Sequence, residues 1–324
     1  MAAEANPQGD APSGAALLAG FDAGQTHTTC RLAWSWPDGR LEAVATGQGP
    51  GVCHLAAAEG AARFQAALQQ SLAAANPAGL PLAAAGIGAS GIEAGSPVQQ
   101  QGLALAAAAL GLPAERLAVS GDERTALRGA FPSGAGILVI SGTGCIAVGR
   151  DDHGREHRCG GWGWLLDGSG SAMDIGRDGL MLSVAMADGR LARTDLQAAL
   201  WDALGVGSAQ ELKARVVQPD FGAAGFAALA PQVEALARAG DHQAQAILER
   251  SANGLAELVA GVAAALQLPE PAVAAVGGAV QHLHAFRGAF ATALTHRLPE
   301  ARLQAPEGDA CSGALQMARE LRRR

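Results

Sequence analysis

Apolar and polar positions follow two different patterns along this chain, and the pattern changes near its middle. In the first half, short apolar runs stand between turn residues, which predicts β-strands alternating with helices. In order, the predicted elements are strands over 15–19, 30–35 and 41–46, a helix over 56–75, a strand over 82–89, a helix over 97–110 and a strand over 117–119. This order is typical of an α/β fold.

The second half opens with the same strand–turn–strand arrangement, over 137–149, and continues into a glycine-rich segment over 159–170. From 171 to 268 the spacing of apolar residues is almost entirely helical. A strand over 272–276, a helix, a short strand near Leu303 and a helix from Asp309 follow. We therefore predict that a hairpin-led α/β unit occurs twice, and that the second copy carries a helical insertion.

The predicted boundary between the two copies falls near residues 125–135. The run Phe131-Pro132-Ser133-Gly134 has the composition of a connection between domains. We predict an N-terminal domain over 15–128 and a C-terminal domain over 129–324. Residues 1–14 contain no Lys or Arg and no apolar run, so we predict a disordered tail rather than a signal peptide.

Two glycine-containing turns at equivalent places in the two copies carry the most informative chemistry. The first, over 20–29, includes Asp22, and the second is Ser141-Gly142-Thr143-Gly144. Tight glycine turns can direct backbone N–H groups at an anion, and Ser or Thr hydroxyls can donate to phosphate oxygens. Asp22 could hold Mg²⁺ through water. One such turn is as easily structural, but two predict a polyphosphate gripped from both sides.

Composition and charge favour a soluble cytoplasmic enzyme that acts on small molecules. The 324 residues are 49% hydrophobic but only 4% aromatic, so Ala, Leu and Val must fill the core. A formal net charge of −7 argues against nucleic acid or an anionic membrane as the main partner. The five cysteines have no CxxC spacing, which is typical of free thiols in a reducing compartment. Gly, Gln, Glu or Arg interrupt the Ala-rich segments, so no membrane span is predicted.

Five short motifs occur in an order and spacing that resembles a known family. They are Asp22-Ala-Gly-Gln-Thr26, Ser141-Gly-Thr-Gly144, Cys159-Gly-Gly-Trp-Gly163, Ile175-Gly-Arg177 and Gly277-Gly278. From about Leu17 onward, the chain is similar to the N-acetylglucosamine kinase group of the BadF/BadG/BcrA/BcrD ATPase family, within the actin, hexokinase and heat-shock chaperone superfamily. The Gly-Gly-Trp-Gly run shortly after Ser-Gly-Thr-Gly is the most specific of these motifs.

The resemblance implies a duplicated ribonuclease H-like (actin-like ATPase) fold, with two domains around a nucleotide cleft. It also implies ATP and Mg²⁺ as cofactors, a sugar as the small-molecule substrate, and a tendency to form homodimers. The implied nucleotide-binding residues are Asp22, Gly24, Thr26, Thr28, Gly142, Thr143, Gly144, Gly277 and Gly278, with Asp22 organising the metal. The implied sugar-binding residues are Ser90, Gly91, Asp122, Gly161, Trp162, Gly163 and Asp167.

Asp122 matches the position of the family's catalytic base, just past a predicted strand. At the end of a strand in an α/β sheet, such a residue would face the cleft. From the residues alone, an N-cap for the following helix is the favoured explanation of Asp122. The resemblance favours the base, which would accept the proton of a sugar hydroxyl.

Two departures from the family pattern affect the sugar pocket. The run Asp167-Gly168-Ser169 stands where the family usually has Gly-Asp-Glu, and residues 49–54 lack the Asn that the family usually supplies. Either Asp167 and His54 take over these contacts from shifted positions, or the substrate is different.

The best-supported activity is phosphorylation of N-acetylglucosamine on its 6-hydroxyl by ATP. A glucosamine or other hexose kinase, an activator ATPase with an iron–sulfur cluster, and a non-catalytic sugar or nucleotide sensor remain alternatives. A zinc site at His153, His157 and Cys159 is a weaker reading, because three irregularly spaced ligands are not typical of zinc.

Overall fold

The computed structural model describes residues 12–322, which form two compact units. The first unit contains the described residues up to Ser133 together with those from Pro306 onward, and the second is Gly134–Ala305. Of the tail predicted over 1–14, residues 1–11 lie outside the described residues. Residues 12–14 belong to a turn rather than to a disordered tail, because the Ala15 N–H donates to the Pro12 carbonyl at 3.0 Å.

The first unit is built around a five-stranded sheet with the strand order β3-β2-β1-β4-β5. Its elements are β1 (Ala16–Ala23), β2 (His27–Ser35), β3 (Leu41–Pro50), α1 (Gly60–Ala75), β4 (Ala84–Ala89), α2 (Pro97–Leu110), a 3₁₀ turn (Ala114–Arg116), β5 (Leu117–Ser120) and α3 (Asp122–Ala130). β1, β2 and β3 are antiparallel neighbours, whereas β1, β4 and β5 run parallel. The carboxyl ends of β1, β4 and β5 therefore share one edge of the sheet.

The second unit repeats this arrangement, with the strand order β10-β9-β6-β7-β8. Its elements are β6 (Gly136–Ser141), β7 (Cys145–Arg150), β8 (Glu156–Gly160), α4 (Ala172–Ala187), α5 (Asp195–Leu204), α6 (Ala209–Val216), α7 (Gly222–Ala227), α8 (Ala230–Arg238), α9 (His242–Leu266), β9 (Ala272–Val276), α10 (Gly278–His282), α11 (His284–Arg297) and β10 (Arg302–Gln304). Again three antiparallel strands are followed by two parallel ones. The predicted duplication, with a helical insertion in the second copy, is confirmed.

One helix, α12 (Ala310–Leu321), returns to the first unit and changes the predicted domain boundary. Glycines let it approach the sheet closely: a Cβ at Gly20 of β1 would overlap the Leu315 backbone N at 2.9 Å, and a Cβ at Gly86 of β4 would overlap the Ala314 carbonyl. The predicted C-terminal domain over 129–324 therefore differs from the structure at both ends. Residues 129–133 and those from Pro306 onward pack with the first unit.

The core of the second unit lies along α9, a helix of 25 residues. Leu255, Val259 and Val262 recur at helical spacing on α9 and are fully buried. Across residues 12–322, none of the helices combines the length and apolarity needed to cross a bilayer.

Candidate functional site

The first Gly/Thr turn joins β1 to β2, and its tip is exposed. The Gly24 N–H donates to the His27 carbonyl at 3.1 Å, which closes the hairpin and leaves Gln25 and Thr26 exposed. The segment after β3 supports the tip, because the Val52 N–H donates to the Gly24 carbonyl at 2.9 Å. The Thr26 hydroxyl is thus held where a phosphate oxygen can accept its hydrogen bond.

Thr28 does not reach this tip, although the resemblance placed it among the nucleotide-binding residues. It lies in β2, opposite Ala23 of β1 and Gly49 of β3, and is fully buried. Within residues 12–322, its hydroxyl oxygen finds no hydrogen-bond partner. Thr26 lies in the turn and is exposed, whereas Thr28 lies inside the paired strand and is covered.

Two carboxyl groups meet at the carboxyl-terminal edge of the first sheet. Asp22 lies near the end of β1, opposite Gly88 of β4, and Asp122 begins α3 just after β5. Burial raises the pKa of Asp22, and the charge of Asp122 raises it further. A cation bound at Asp22 would relieve this unfavourable clustering of negative charge, so these residues fit a magnesium site.

Asp122 is not the N-cap of α3. Gly121 occupies that position with extended backbone, and no side chain caps it. The Asp122 side chain accepts a hydrogen bond from the Glu123 N–H at 3.0 Å. Asp122 is therefore the first residue of α3 rather than its N-cap, and its half-buried carboxyl group accepts from a backbone N–H of the first helical turn.

Glu123 is a candidate functional residue that sequence reasoning missed. Its carboxylate folds back over Gly121, into space that a side chain there would need. Burial raises the pKa of both Asp122 and Glu123, while the hydrogen bond between them lowers the pKa of Asp122 and raises that of Glu123. The Arg124 guanidinium, 3.8 Å from the Glu123 carboxylate, lowers the pKa of Glu123, so the two carboxyl groups titrate as a coupled pair. The sequence did contain a signal for Glu123, because two acidic residues stand side by side at the end of a predicted strand.

Ser90 and Gly91 follow β4 at the same edge of the sheet. The Ser90 N–H donates to the Ala23 carbonyl at 3.0 Å, which holds this turn beside the end of β1. Gly91 has a φ of +81°, and a Cβ there would lie 3.2 Å from Cδ2 of His54. The structure therefore brings His54, the residue considered as a replacement for the absent Asn, next to a predicted sugar-binding glycine.

The second Gly/Thr turn joins β6 to β7 and is as accessible as the first. The Gly142 N–H donates to the Gly144 carbonyl at 2.9 Å, and Thr143 is exposed between them. A Cβ at Gly144 would meet no atom within 4 Å. The missing side chain at this position leaves the backbone open to a ligand.

The glycine-rich segment before α4 is tied to this second turn. The Ser141 hydroxyl donates to the Gly170 carbonyl at 2.6 Å, and the Ala172 N–H donates to the Gly142 carbonyl at 2.8 Å. The amino-terminal end of α4 therefore supports the turn directly.

Asp174 organises this segment, and sequence reasoning did not single it out. The buried Asp174 carboxylate accepts hydrogen bonds from the Gly170 N–H at 3.3 Å and from the Ser251 hydroxyl at 2.9 Å. Its other oxygen accepts from the Arg177 guanidinium at 3.0 Å. Pairing and hydrogen bonding make this buried charge tolerable, and they fix the backbone on which the second turn rests.

Gly277 and Gly278, which the resemblance assigns to nucleotide binding, lie against the second turn. Gly277 has a φ of +100°, and a Cβ there would lie 3.0 Å from the Ser141 N and closer still to its carbonyl. A Cβ at Gly142 would approach the Gly278 N at 3.9 Å. Only glycine fits at position 277, because both its backbone angle and its surroundings exclude a side chain.

The Gly-Trp-Gly run forms an exposed loop after β8. Gly161 and Gly163 have φ values of +76° and +88°, and Trp162 between them is 60% exposed. The Arg158 guanidinium stacks over the Trp162 ring, 4.3 Å from its centroid. This loop presents an aromatic face to solvent.

Asp167 closes this loop and turns inward. Its Oδ1 accepts a hydrogen bond from the Gly168 N–H at 2.7 Å. A Cβ at Gly160 would lie 3.3 Å from its Oδ2, which is buried and lacks a hydrogen-bond partner within residues 12–322. Burial and the nearby Asp167 charge raise the pKa of the Cys145 thiol to about 12.

Among the described residues, no three or more His, Cys, Asp or Glu side chains are grouped so that they could hold a metal ion. This includes His153, His157 and Cys159, whose histidines are exposed. A magnesium ion at Asp22 would therefore depend largely on water and phosphate oxygens for its ligands.

Known proteins are similar to this chain in both sequence and architecture. The profile of the BadF/BadG/BcrA/BcrD ATPase family matches residues 19–318. An N-acetylmuramic acid/N-acetylglucosamine kinase from Clostridium acetobutylicum is 29% identical over 206 residues, which cover 63% of this chain and 67% of the relative. An N-acetyl-D-glucosamine kinase from Dictyostelium discoideum is 34% identical over 128 residues, 39% of this chain and 40% of that relative.

Solved structures extend the likeness to nearly the whole chain. A Chromobacterium violaceum protein described as a candidate N-acetylglucosamine kinase is 30% identical with a TM-score of 0.73, covering 94% of this chain and 99% of its own. A ROK-family glucokinase from Streptomyces griseus, solved with glucose and AMPPNP, has a TM-score of 0.58 at 18% identity, covering 95% of this chain and all of its own (100%). The latter supports the fold alone.

The predicted duplicated ribonuclease H-like (actin-like ATPase) fold is confirmed by the two sheets and these neighbours. The family profile spans both units, including the two Gly/Thr turns and the Gly277–Gly278 pair. The chain belongs to the BadF/BadG/BcrA/BcrD ATPase family.

Proposed function

We propose that this protein is a sugar kinase that transfers the γ-phosphate of ATP to an amino-sugar hydroxyl, most simply the 6-hydroxyl of N-acetylglucosamine. The observation that carries the proposal is the position of Asp122. Its carboxyl group is half-buried and lies near Asp22, where the parallel strands β1, β4 and β5 of the first sheet end. The kinases among its relatives support the choice of reaction.

The exposed Thr26 and Thr143 hydroxyls would donate to phosphate oxygens, helped by the backbone of Gly24, Gly142 and Gly144. Asp22 would hold Mg²⁺ through water, and this ion would neutralise charge on the β- and γ-phosphates. The Gly277–Gly278 backbone, packed against the second turn, would receive the adenosine end of ATP.

Asp122 would act as the general base. As a carboxylate, it would accept the proton of the acceptor hydroxyl while that oxygen bonds to the γ-phosphorus and the bond to the bridging oxygen of ADP breaks. The raised pKa of Asp122 suits this task, because a more basic carboxylate takes the proton more readily. Glu123 would keep Asp122 oriented and ionised by donating a hydrogen bond to it.

The sugar would be held by Trp162, whose exposed ring can stack on the apolar face of a pyranose, and by Gly161 and Gly163. The resemblance adds Ser90 and Gly91 to these contacts, whereas Asp167, which it also implies, turns inward. His54, beside Gly91, would supply the contact that an Asn makes in the family.

The test measures Mg²⁺-dependent ADP release with N-acetylglucosamine, N-acetylmuramic acid, glucosamine, glucose and N-acetylmannosamine. We expect one amino sugar to be preferred, and Asp122→Asn to lower kcat by roughly 10²–10⁴-fold with ATP still bound. Asp195→Asn is the matched control, because Asp195 is exposed and also begins a helix, α5.

A preference for glucosamine or glucose would support the kinase activity but contradict N-acetylglucosamine as its substrate. ATP binding without sugar-stimulated ADP release would refute the kinase and favour a sensor.

The five cysteines are free, which suits a cytoplasmic enzyme. A homodimer in solution is our expectation for its assembly, to be checked by sedimentation.

A further inference from the structure

The second unit contains a cavity of about 600 Å³ that none of the residues discussed above, apart from Arg177, lines. α4, α6 and α7 enclose it, and its apolar wall consists of Leu180, Met181, Val184, Leu212, Val216 and Phe226. Its volume lies within the usual range for small-molecule sites. Met181 is 62% exposed, so the apolar wall is open to solvent on that side.

Two cations stand at this apolar wall. One is Arg177 of α4, which is also paired with Asp174. The other is Lys213 of α6, which is exposed and is the sole lysine among the 23 Lys and Arg residues of the sequence. The single lysine of the chain therefore lies at this wall.

We propose that this cavity is a second ligand site, which binds a small amphipathic anion with an apolar body and a carboxylate, sulfonate or phosphate group. The apolar wall would take the body by burying its surface. Lys213 and Arg177 would take the anionic group through charge-assisted hydrogen bonds. Because the chain as a whole has a formal net charge of −7, a wall with two cations is a selective place for such a ligand.

The Arg177 guanidinium also joins this cavity to the second Gly/Thr turn. It bonds to Asp174, which in turn accepts from the Gly170 N–H beneath that turn. An anion bound in the cavity would share the Arg177 guanidinium with Asp174. Its binding would therefore affect the backbone that supports the second turn.

The probe for the experiment is 1-anilinonaphthalene-8-sulfonate, an aryl sulfonate whose fluorescence rises in an apolar site. N-phenyl-1-naphthylamine, which lacks the sulfonate, reports the apolar wall alone. Both are titrated into the unsubstituted 324-residue chain and into its Lys213→Gln, Lys213→Arg, Val184→Phe and Arg238→Gln variants. Arg238 is exposed on α8 and outside the cavity, so Arg238→Gln removes the same charge elsewhere on this unit.

We expect one sulfonate probe per chain, with its Kd raised roughly tenfold by Lys213→Gln and largely restored in Lys213→Arg. The neutral probe should bind Lys213→Gln normally, and Val184→Phe, which narrows the cavity, should weaken both probes. Arg238→Gln should change neither. Lys213 is exposed, so its variants are expected to fold even if Val184→Phe does not.

Four results would overturn the proposal. An unchanged Kd in Lys213→Gln, or an equal loss in Arg238→Gln, would mean that the probe does not use this cavity. Displacement of the sulfonate probe by a non-hydrolysable ATP analogue at matching occupancy would make the cavity part of the nucleotide site. Conversion of a dimer to a monomer by Val184→Phe, seen by sedimentation, would make it a subunit contact instead.

Discussion

The hydroxyl of Ser141 and the carbonyl oxygen of Gly170 are joined by a buried hydrogen bond of 2.6 Å. This bond ties the end of β6 to the glycine-rich segment that precedes α4. In Ser141→Ala the Gly170 carbonyl would lose its partner, which costs about 1–3 kcal/mol of unfolding free energy. We expect the shifted backbone of the second turn to raise the KM for ATP several-fold as well.

Urea unfolding and ATP titration measure these two effects. Thr292→Ala is the control, because the exposed Thr292 hydroxyl bonds only within its own helix, α11. A loss of stability with an unchanged KM for ATP would show that the Ser141–Gly170 bond has no part in nucleotide binding.

The pair Asp122 and Glu123 predicts a specific pH dependence. Asp122 accepts a proton only as a carboxylate, and its pKa is raised by burial, so activity should fall on acidification at a higher pH than for an ordinary aspartate. Glu123→Ala removes the hydrogen bond that lowers the pKa of Asp122, so the acidic limb of kcat/KM should move to still higher pH. Glu123→Gln keeps a donor and should shift the limb less.

The measurement is the pH profile of kcat/KM for the wild type and both variants. A shift of the acidic limb to lower pH in Glu123→Ala would contradict the hydrogen bond and indicate that charge repulsion dominates the pair.

The charged carboxylate of Asp22 should lower the stability of the folded protein while serving its proposed role in Mg²⁺ binding. Its folded-state pKa is raised, so the folded protein binds this proton more tightly than the unfolded chain, and stability is lost as pH rises through the two pKa values. At neutral pH, Asp22→Asn removes a half-buried charge and should raise Tm by about 2 °C, while abolishing Mg²⁺-dependent ADP release. At acidic pH, where Asp22 is protonated, the gain in Tm should disappear.

Thermal unfolding at the two pH values, with the exposed Asp195→Asn as a control for loss of charge, checks this prediction. A lower Tm for Asp22→Asn at neutral pH would mean that the charged carboxylate is stabilised by contacts stronger than its burial penalty.

Two glycines should respond to alanine in opposite directions. A Cβ at Gly20 would overlap the backbone of Cys311 and Leu315, so Gly20→Ala must push α12 away from β1, at a cost of about 1–3 kcal/mol. Gly288 lies within α11, and a Cβ there would meet nothing within 4 Å. Gly288→Ala should therefore stabilise the protein by about 0.5–1 kcal/mol. Equal effects of the two substitutions on urea unfolding would rule out the close approach of α12.

The local pattern of apolar, polar and turn residues was enough to predict much of this fold. α2 begins at Pro97 and ends at Leu110, as predicted, because Ser96 caps its start and Gly111 ends it in the left-handed conformation. The two Gly/Thr turns were also found, since glycine and apolar strands mark a hairpin in the sequence itself. Family resemblance then supplied the role of Asp122, which spacing alone left open.

Features that depend on distant residues were not predicted. β8 is a polar edge strand, Glu156–Gly160, held by pairing with β7, so its own residues carry little strand signal. The return of α12 to the first sheet depends on glycines far away in sequence, Gly20 and Gly86. The inward turn of Asp167 and the burial of Thr28 likewise follow from tertiary packing.

The return of α12 affects the order in which this protein can fold on the ribosome. The second unit is one continuous stretch, Gly134–Ala305, and all of it has been synthesised before α12 is made. The first unit, although its sheet is translated first, has to wait for α12 to cover β1 and β4. We therefore expect the later-made unit to be the first to complete its core, reversing the usual order of domains during translation.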